Sequence, residues 1–150
     1  FLLFVLGYVW WFLVSMGGVA FVGPSMFTYF GGLQFGIGVP SGVEAILHAL
    51  NRLVEARGYD VGLSMLLVDF QKAFNMVDRE IMLLEVRRQC PVLSRSVEFC
   101  YSSPARLYYG EHMSCQGVQQ EDPLGPLLFA LVLHPFVCTI SDSFAFSMQA

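Results

Sequence analysis

Residues 66–78 read LLVDFQKAFNMVD, and the interpretation of the whole chain starts from this stretch. An apolar run over residues 65–68 leads into it and predicts a buried strand. Asp69 follows where that strand should end, and Asp78 lies where a new helix should begin. A carboxylate held at the end of a buried strand can bind a metal ion, but a polar turn between a strand and a helix has the same pattern. Spacing alone leaves both interpretations open.

The composition is unusually apolar for a soluble domain. Of the 150 residues, 55% are hydrophobic and only 13% are charged, against roughly 25% charged in typical soluble domains. The net charge of −4 argues against a strongly basic nucleic-acid surface. The 4 cysteines form no C-x-x-C pair and no zinc spacing, which is typical of reduced cysteines in an intracellular protein. The length fits one domain or part of one, and because the first residue is Phe1 rather than Met, we expect the amino end to be missing.

The amino-terminal segment, residues 1–23, carries no charge and is long enough to span a bilayer. The first charged residue of the chain is Glu44, so no Lys or Arg flanks the segment closely and the positive-inside rule gives no orientation. The segment also lacks a charged start and a clear cleavage site, so it is a poor signal peptide. Length and hydropathy alone favour a transmembrane helix.

Local start and stop signals predict the elements on either side of Asp69. Ser41 and Glu44 have the S-x-x-E spacing of a capping box, and Gly58 should end the helix that they begin. A strand over residues 62–69 follows, and Asp78 should cap a helix over residues 79–89 that ends before a proline. Three residues of this helix should partly face inward: Ile81, Leu84 and Val86.

The last third of the chain should contain two helices separated by a hairpin. Ser94 can cap a helix through residue 101, and residues 106–109 and 112–115 should form two short strands. Asp122 can cap a final helix over residues 127–137, which Pro135 should bend or end.

A second informative stretch, residues 117–126, reads GVQQEDPLGP. On its own it is either a loop before a core helix or a glutamine-lined loop near a ligand. Together with VDFQKAF over residues 68–74 it is specific, because the two motifs occur in a characteristic order and separation. The chain resembles the reverse transcriptase domain of plant non-LTR (LINE-type) retrotransposons, in a truncated and degenerate form. The QFG sequence of residues 34–36 also fits the fingers region of that family, and the resemblance runs through residue 147.

The resemblance implies a set of functional residues. Asp69 would be the first catalytic and metal-holding aspartate, with the carbonyl of Phe70 beside it. Phe74 would lie under the sugar of the incoming nucleotide, and Gln120 would line the nucleotide pocket. The intact family uses two Mg²⁺ (or Mn²⁺) ions for nucleotidyl transfer. Its partners are an RNA template, a DNA primer and deoxynucleotides, and its location is the nucleus or cytoplasm.

Three departures from the family pattern weaken the expected activity. Glu121 stands where the family has glycine, and it adds bulk and negative charge near a triphosphate. The Tyr-x-Asp-Asp motif that supplies the other catalytic aspartates is absent, and we expect it directly after Ala150, since Asp142 is no substitute. The thumb domain is also missing.

The amino-terminal segment also departs from the family pattern. Residues 7–16 read GYVWWFLVSM and align with a segment of the family's fingers region. Where that family segment has basic residues, this chain has Trp11, Phe12 and Met16. If that alignment holds, the hydrophobicity reflects lost basic residues, and a membrane segment becomes the less favoured interpretation.

These observations predict an α+β fold, the partial fingers and palm of a reverse transcriptase, with a small antiparallel sheet packed against helices and the Asp69 strand at its centre. Residues 1–43 would be an apolar remnant of the fingers, or a transmembrane segment, and residues 44–150 a partial fingers and palm. The expected function is that of an inactive fragment of an RNA-directed DNA polymerase with little nucleic-acid binding. The alternatives are a membrane-anchored, non-catalytic relic and a nucleic-acid-binding accessory fragment.

Overall fold

A computed structural model describes residues 2–106, 113–119 and 121–147 of the chain. These residues form five α-helices: α1 (Leu2–Phe30), α2 (Gly42–Arg57), α3 (Arg79–Gln89), α4 (Pro91–Tyr101) and α5 (Gly125–Ser147). A short 3-10 helix, Ala73–Met76, precedes α3. Two two-residue strands, β1 (Ala105–Arg106) and β2 (Met113–Ser114), pair antiparallel, with Ala105 opposite Ser114.

The predicted α+β fold is wrong, because the described part of the chain is a helical assembly. Residues 62–69, expected to form the central buried strand, have no regular structure, and Leu66 and Leu67 are 80% and 81% exposed. A strand is stable only where a neighbour accepts its backbone hydrogen bonds. Within the described ranges no strand lies beside this segment, and the only ladder is the two-residue pairing of β1 with β2.

Helices α3 and α4 follow their local signals closely. The Asp78 carboxylate accepts hydrogen bonds from the amides of Glu80 (2.8 Å) and Ile81 (3.1 Å), so α3 begins and ends as predicted. Helix α4 begins at Pro91 rather than after Ser94, because a proline has no amide to leave unpaired in a first turn. The Ser94 hydroxyl instead donates to the Pro91 carbonyl.

The inner face of α3 differs from the prediction. Ile81 and Leu84 are 48% and 43% exposed, whereas Val86 is buried as expected. Met82 is fully buried one turn before Val86. The apolar positions of this short helix fit two neighbouring stripes, and packing against α4 and α5 selects the stripe through Met82.

Helix α2 has its predicted ends but lacks its predicted cap, and helix α5 is longer than predicted. Helix α2 begins where expected, but Ser41 is in the left-handed region (φ 52°) and its hydroxyl makes no capping hydrogen bond. Helix α5 continues through Pro135 to its end at Ser147, ten residues beyond its predicted end. Near the proline, the Thr139 hydroxyl donates to the Pro135 carbonyl (2.9 Å).

One hydrophobic core joins α1, α3, α4 and α5. Helix α5 supplies its centre, with Leu127, Leu128 and Leu131 fully buried. The other helices contribute Val22, Met26 and Phe30 from α1, Met82 and Val86 from α3, and Leu93, Val97 and Tyr101 from α4. Helix α2 is almost entirely exposed and adds only Gly42 to the buried residues.

In the described part of the chain, two helices are long and apolar enough to cross a membrane, judged by length and composition. The windows are Val9–Phe30 in α1 and Gly125–Ser143 in α5, and 22% and 33% of their respective residues are buried within the fold. Most residues of the Val9–Phe30 window are therefore not buried within the fold. Core helices of soluble proteins and signal sequences meet the same criteria.

Candidate functional site

The two motif stretches meet through their backbones beside the 3-10 helix. The amide of Val118 donates to the carbonyl of Phe74 (2.9 Å), and the amide of Gly117 donates to the carbonyl of Val77 (2.8 Å). These bonds hold the start of the GVQQEDPLGP stretch against the end of the LLVDFQKAFNMVD stretch. Residues about 40 positions apart in the chain therefore form one local structure.

Gly117 is required at this junction. Its φ of +74° is unfavourable for residues with a side chain, and a Cβ atom there would lie 2.5 Å from the carbonyl oxygen of Asn75. Because the clashing atom is backbone, any side chain would push the two stretches apart.

A cleft of about 370 Å³ opens between the two stretches. Its walls are Phe74, Asn75, Val118, Gln119, Glu121, Asp122, Gly125 and Pro126. Phe74 also lines a second cavity of about 200 Å³, to which Gln34 and Phe129 contribute. The three stretches that carry the family resemblance therefore converge on Phe74.

A buried arginine fixes the loop that forms one wall of the cleft. The Arg79 guanidinium donates to the carbonyl oxygens of Gly117 (2.8 Å) and Ser114 (2.7 Å). It also lies over the ring of Tyr101, 5.4 Å from the ring centroid. Arg79 is only 7% exposed, so its charge is stabilised by carbonyl dipoles and an aromatic face.

Tyr101 and Asp122 continue this network to the start of α5. The Tyr101 hydroxyl donates to the Asp122 carboxylate and accepts from the amide of Gln119 (3.2 Å). The other Asp122 oxygen accepts from the amide of Leu124 (2.9 Å), which caps the turn before α5. The pKa of Tyr101 is raised well above its usual value, mainly by burial and secondly by the hydrogen bond to Asp122. The phenol therefore stays protonated and acts as a structural donor.

The predicted site residues are only partly brought together. Asp69 is exposed, in the irregular segment before the 3-10 helix. Phe70 and Phe74 both approach Phe129 of α5, with ring centroids 6.2 Å and 5.3 Å from it. Gln120 lies outside the described residues, although its neighbours Gln119 and Glu121 line the cleft.

The described residues contain no cluster of metal-binding side chains. Over the described ranges, no three His, Cys, Asp or Glu side chains lie close enough together to hold a metal ion. Asp69 is exposed and belongs to no such group, so the two-metal site that the resemblance implies stays a prediction.

Sequence reasoning missed the parts played by Arg79 and Tyr101. Arg79 directly follows the helix cap and has the appearance of a solvated residue in a first turn. Tyr101 ends a helix, where an aromatic residue indicates packing and no particular polar partner. Asp122 was predicted only as a cap, and its spacing gives no sign that a tyrosine 21 residues earlier binds it.

No family model, curated protein or solved structure matches this chain.

Proposed function

We propose that the chain is a fragment of the reverse transcriptase of a non-LTR retrotransposon and that it does not polymerise nucleotides by itself. The observation that carries this proposal is the convergence of the three resembling stretches around Phe74. Motifs that form one nucleotide pocket must lie together in space, and here backbone hydrogen bonds join two of them directly.

The cleft has the size of a small-molecule site but an unfavourable charge for a triphosphate. Its volume of about 370 Å³ lies in the range of roughly 300–1,000 Å³ found for ligand pockets. Phe74 is 45% exposed and lines the cleft. Glu121 and Asp122 also line the cleft, and among the described residues no basic side chain contributes to its lining. A nucleotide triphosphate would therefore bind weakly.

Primer extension by the purified chain tests its inactivity. We expect no extension of a DNA primer on an RNA template with Mg²⁺ or Mn²⁺. Extension that disappears in Asp69→Asn would overturn the proposal of an inactive chain.

Complementation tests the family assignment. The chain would be co-expressed with the segment of an active non-LTR reverse transcriptase that carries the Tyr-x-Asp-Asp motif and the thumb. With Glu121→Gly in this chain, we expect primer extension that is lost in Asp69→Asn and kept in Asp60→Asn, a change to another exposed carboxylate nearby. If the two segments co-purify without activity, or if activity survives Asp69→Asn, the assignment fails.

A membrane-anchored, non-catalytic protein is the second candidate, and the apolar surface of α1 favours it. Exposed side chains on this helix include Trp10 (67%) and Phe21 (72%), and the Val9–Phe30 window is long enough to cross a bilayer. Carbonate extraction of the expressed chain separates the two candidates. Release into the soluble fraction contradicts membrane anchoring, and retention in the pellet supports it.

A nucleic-acid-binding accessory role has less support from the charges. Of the 8 basic residues, Arg79 is buried, and Arg57, Arg87 and Arg88 lie in ion pairs with Asp60, Glu98 and Glu85. Few cations remain to displace counterions from phosphates, so we expect little salt-dependent RNA binding.

A further inference from the structure

An aromatic groove separates the first half of α1 from α4, away from the cleft at Phe74. Its volume is about 470 Å³, and its walls are Trp10, Trp11, Val14, Arg95, Ser96 and Phe99. We call this the Trp–Arg groove.

The walls of the Trp–Arg groove are apolar and open. Phe99 is 88% exposed and Trp10 is 67% exposed. Large aromatic rings contribute most to binding energy when a ligand removes them from water. An elongated apolar ligand lying in the groove would cover both rings.

Of the described residues that line the groove, one is a cation and none is a carboxylate. Within the described residues, Arg95 forms no ion pair or hydrogen bond, whereas Arg87 on α3 pairs with Glu98 of α4 at 2.6 Å. A guanidinium binds carboxylate and phosphate groups through paired donors. The groove is therefore complementary to an anion that is attached to an apolar chain.

Other ligand classes fit the groove less well. A nucleobase needs hydrogen-bond partners for its edge, and apart from Arg95 the groove offers only the hydroxyl of Ser96 and the indole nitrogens. The Nε1 atom of Trp11 is itself buried and cannot reach a ligand without movement. A cationic or neutral amphiphile would leave the Arg95 charge unmatched.

We propose that the Trp–Arg groove binds a single-chain anionic amphiphile of the fatty-acid or lysophospholipid class. The hydrocarbon chain lies against Trp10, Val14 and Phe99, and the acidic head group binds Arg95. This activity is separate from the proposed polymerase ancestry and does not depend on it.

Intrinsic fluorescence tests the proposal directly, because the chain has 2 tryptophans and both line the groove. The full chain is titrated with dodecanoate below its micelle concentration. Dodecyltrimethylammonium and dodecyl maltoside, which have the same apolar chain, serve as cationic and neutral probes. We expect saturable fluorescence changes, with dodecanoate binding about tenfold more tightly than either of the other two.

Two substitutions separate charge from apolar contact. Arg95→Gln should weaken dodecanoate binding about tenfold, to the level of the neutral probe. Arg52→Gln, a change to another exposed arginine on the distant helix α2, should leave it unchanged. Phe99→Ser should weaken all three probes by similar factors and keep the preference for the anion. Because Arg95 and Phe99 are exposed, their variants should melt at the temperature of the original chain.

Several results would overturn the proposal. These are equal affinity for the three probes, dodecanoate binding that Arg95→Gln leaves unchanged, and saturation by deoxyadenosine triphosphate at lower concentrations than dodecanoate. A fluorescence change with vesicles of anionic phospholipid but none with dodecanoate or a monomeric lysophosphatidic acid would assign the groove to a bilayer surface instead of a single-chain ligand.

Discussion

At the scale of single residues, Glu121 occupies a conformation that suits glycine. Its φ is 62°, in the left-handed region that costs a residue with a side chain about 1–2 kcal/mol. The reverse transcriptase pattern has glycine at this position. We expect Glu121→Gly to raise the free energy of unfolding by about 1 kcal/mol, as measured by urea denaturation.

Substitution of glycine at the exposed neighbour Gln119 is the control for the general effect of a glycine on stability. Gln119 has no positive φ, so Gln119→Gly should lower stability by roughly 0.5–1 kcal/mol through added freedom of the unfolded chain. Equal destabilisation by both glycines would show that Glu121 is not strained.

Ser15 is a second residue whose local environment is unfavourable. It lies on the inner face of α1, fully buried, and its hydroxyl has no hydrogen-bond partner in the described structure. Burying an unpaired hydroxyl costs about 1–3 kcal/mol, so Ser15→Ala should raise the melting temperature. The control is Ser25→Ala on the same helix, whose hydroxyl donates to the Val22 carbonyl (2.8 Å). If Ser15→Ala destabilises more than Ser25→Ala, the hydroxyl has a partner.

At the scale of elements, Tyr101 joins α4 to the loop before α5. Tyr101→Phe removes the donor to the buried Asp122 carboxylate and the acceptor of the Gln119 amide. We expect a loss of about 2 kcal/mol or more in the free energy of unfolding, because a buried carboxylate is left with fewer hydrogen bonds. Tyr59→Phe, at a fully exposed position, should have no effect. A loss below about 0.5 kcal/mol for Tyr101→Phe would contradict the network.

The same network controls a thiol on α4. The pKa of Cys100 is raised to about 11, mainly by burial and secondly by the negative charge of Asp122. Since the thiolate is the reactive form, iodoacetamide should modify Cys100 slowly at pH 8, and about tenfold faster at pH 9. Asp122→Asn should lower the pKa and speed modification at pH 8, whereas Asp142→Asn should not. Peptide mass spectrometry follows Cys100, and equal rates at pH 8 and pH 9 would refute the raised pKa.

The elements show which parts of the fold could be predicted from the sequence. Helix α3 matches its prediction because the Asp78 cap and the proline after it act on their own neighbours. The strand over residues 62–69 was predicted from four apolar residues, and such a run becomes a strand only if a distant segment pairs with it. The four residues alone do not indicate whether a pairing segment is present. The S-x-x-E spacing likewise does not predict the left-handed backbone conformation of Ser41.

At the scale of the whole molecule, the candidate site was only half predictable. The motifs singled out Phe70 and Phe74, whose rings both lie near Phe129 of α5, while the roles expected for them stay predictions. Arg79 and Tyr101, which hold the loop in place, depend on contacts between segments far apart in the chain. Asp69 was expected to be rigid because a strand would hold it, and without that strand it lies exposed.

Helix α1 exposes several large apolar side chains on the surface of the molecule. Leu13 and Phe21 are 55% and 72% exposed, so neither side chain contributes much to the core. The double change Leu13→Gln and Phe21→Gln should increase the soluble fraction and alter the free energy of unfolding by less than about 0.5 kcal/mol. Met26, on the same helix but 3% exposed, is the matched control, and Met26→Gln should cost about 2 kcal/mol or more.

The double variant also separates the two candidate functions. If α1 crosses a bilayer, two glutamines within the span should shift the chain from the carbonate-resistant pellet toward the soluble fraction. If the chain is instead a polymerase fragment that is not membrane-bound, carbonate should already release the unmodified chain. The double variant should then lower only its self-association, which light scattering measures. A double variant that unfolds as readily as Met26→Gln would show that Leu13 and Phe21 are covered by another surface, and both expectations for α1 would then fail.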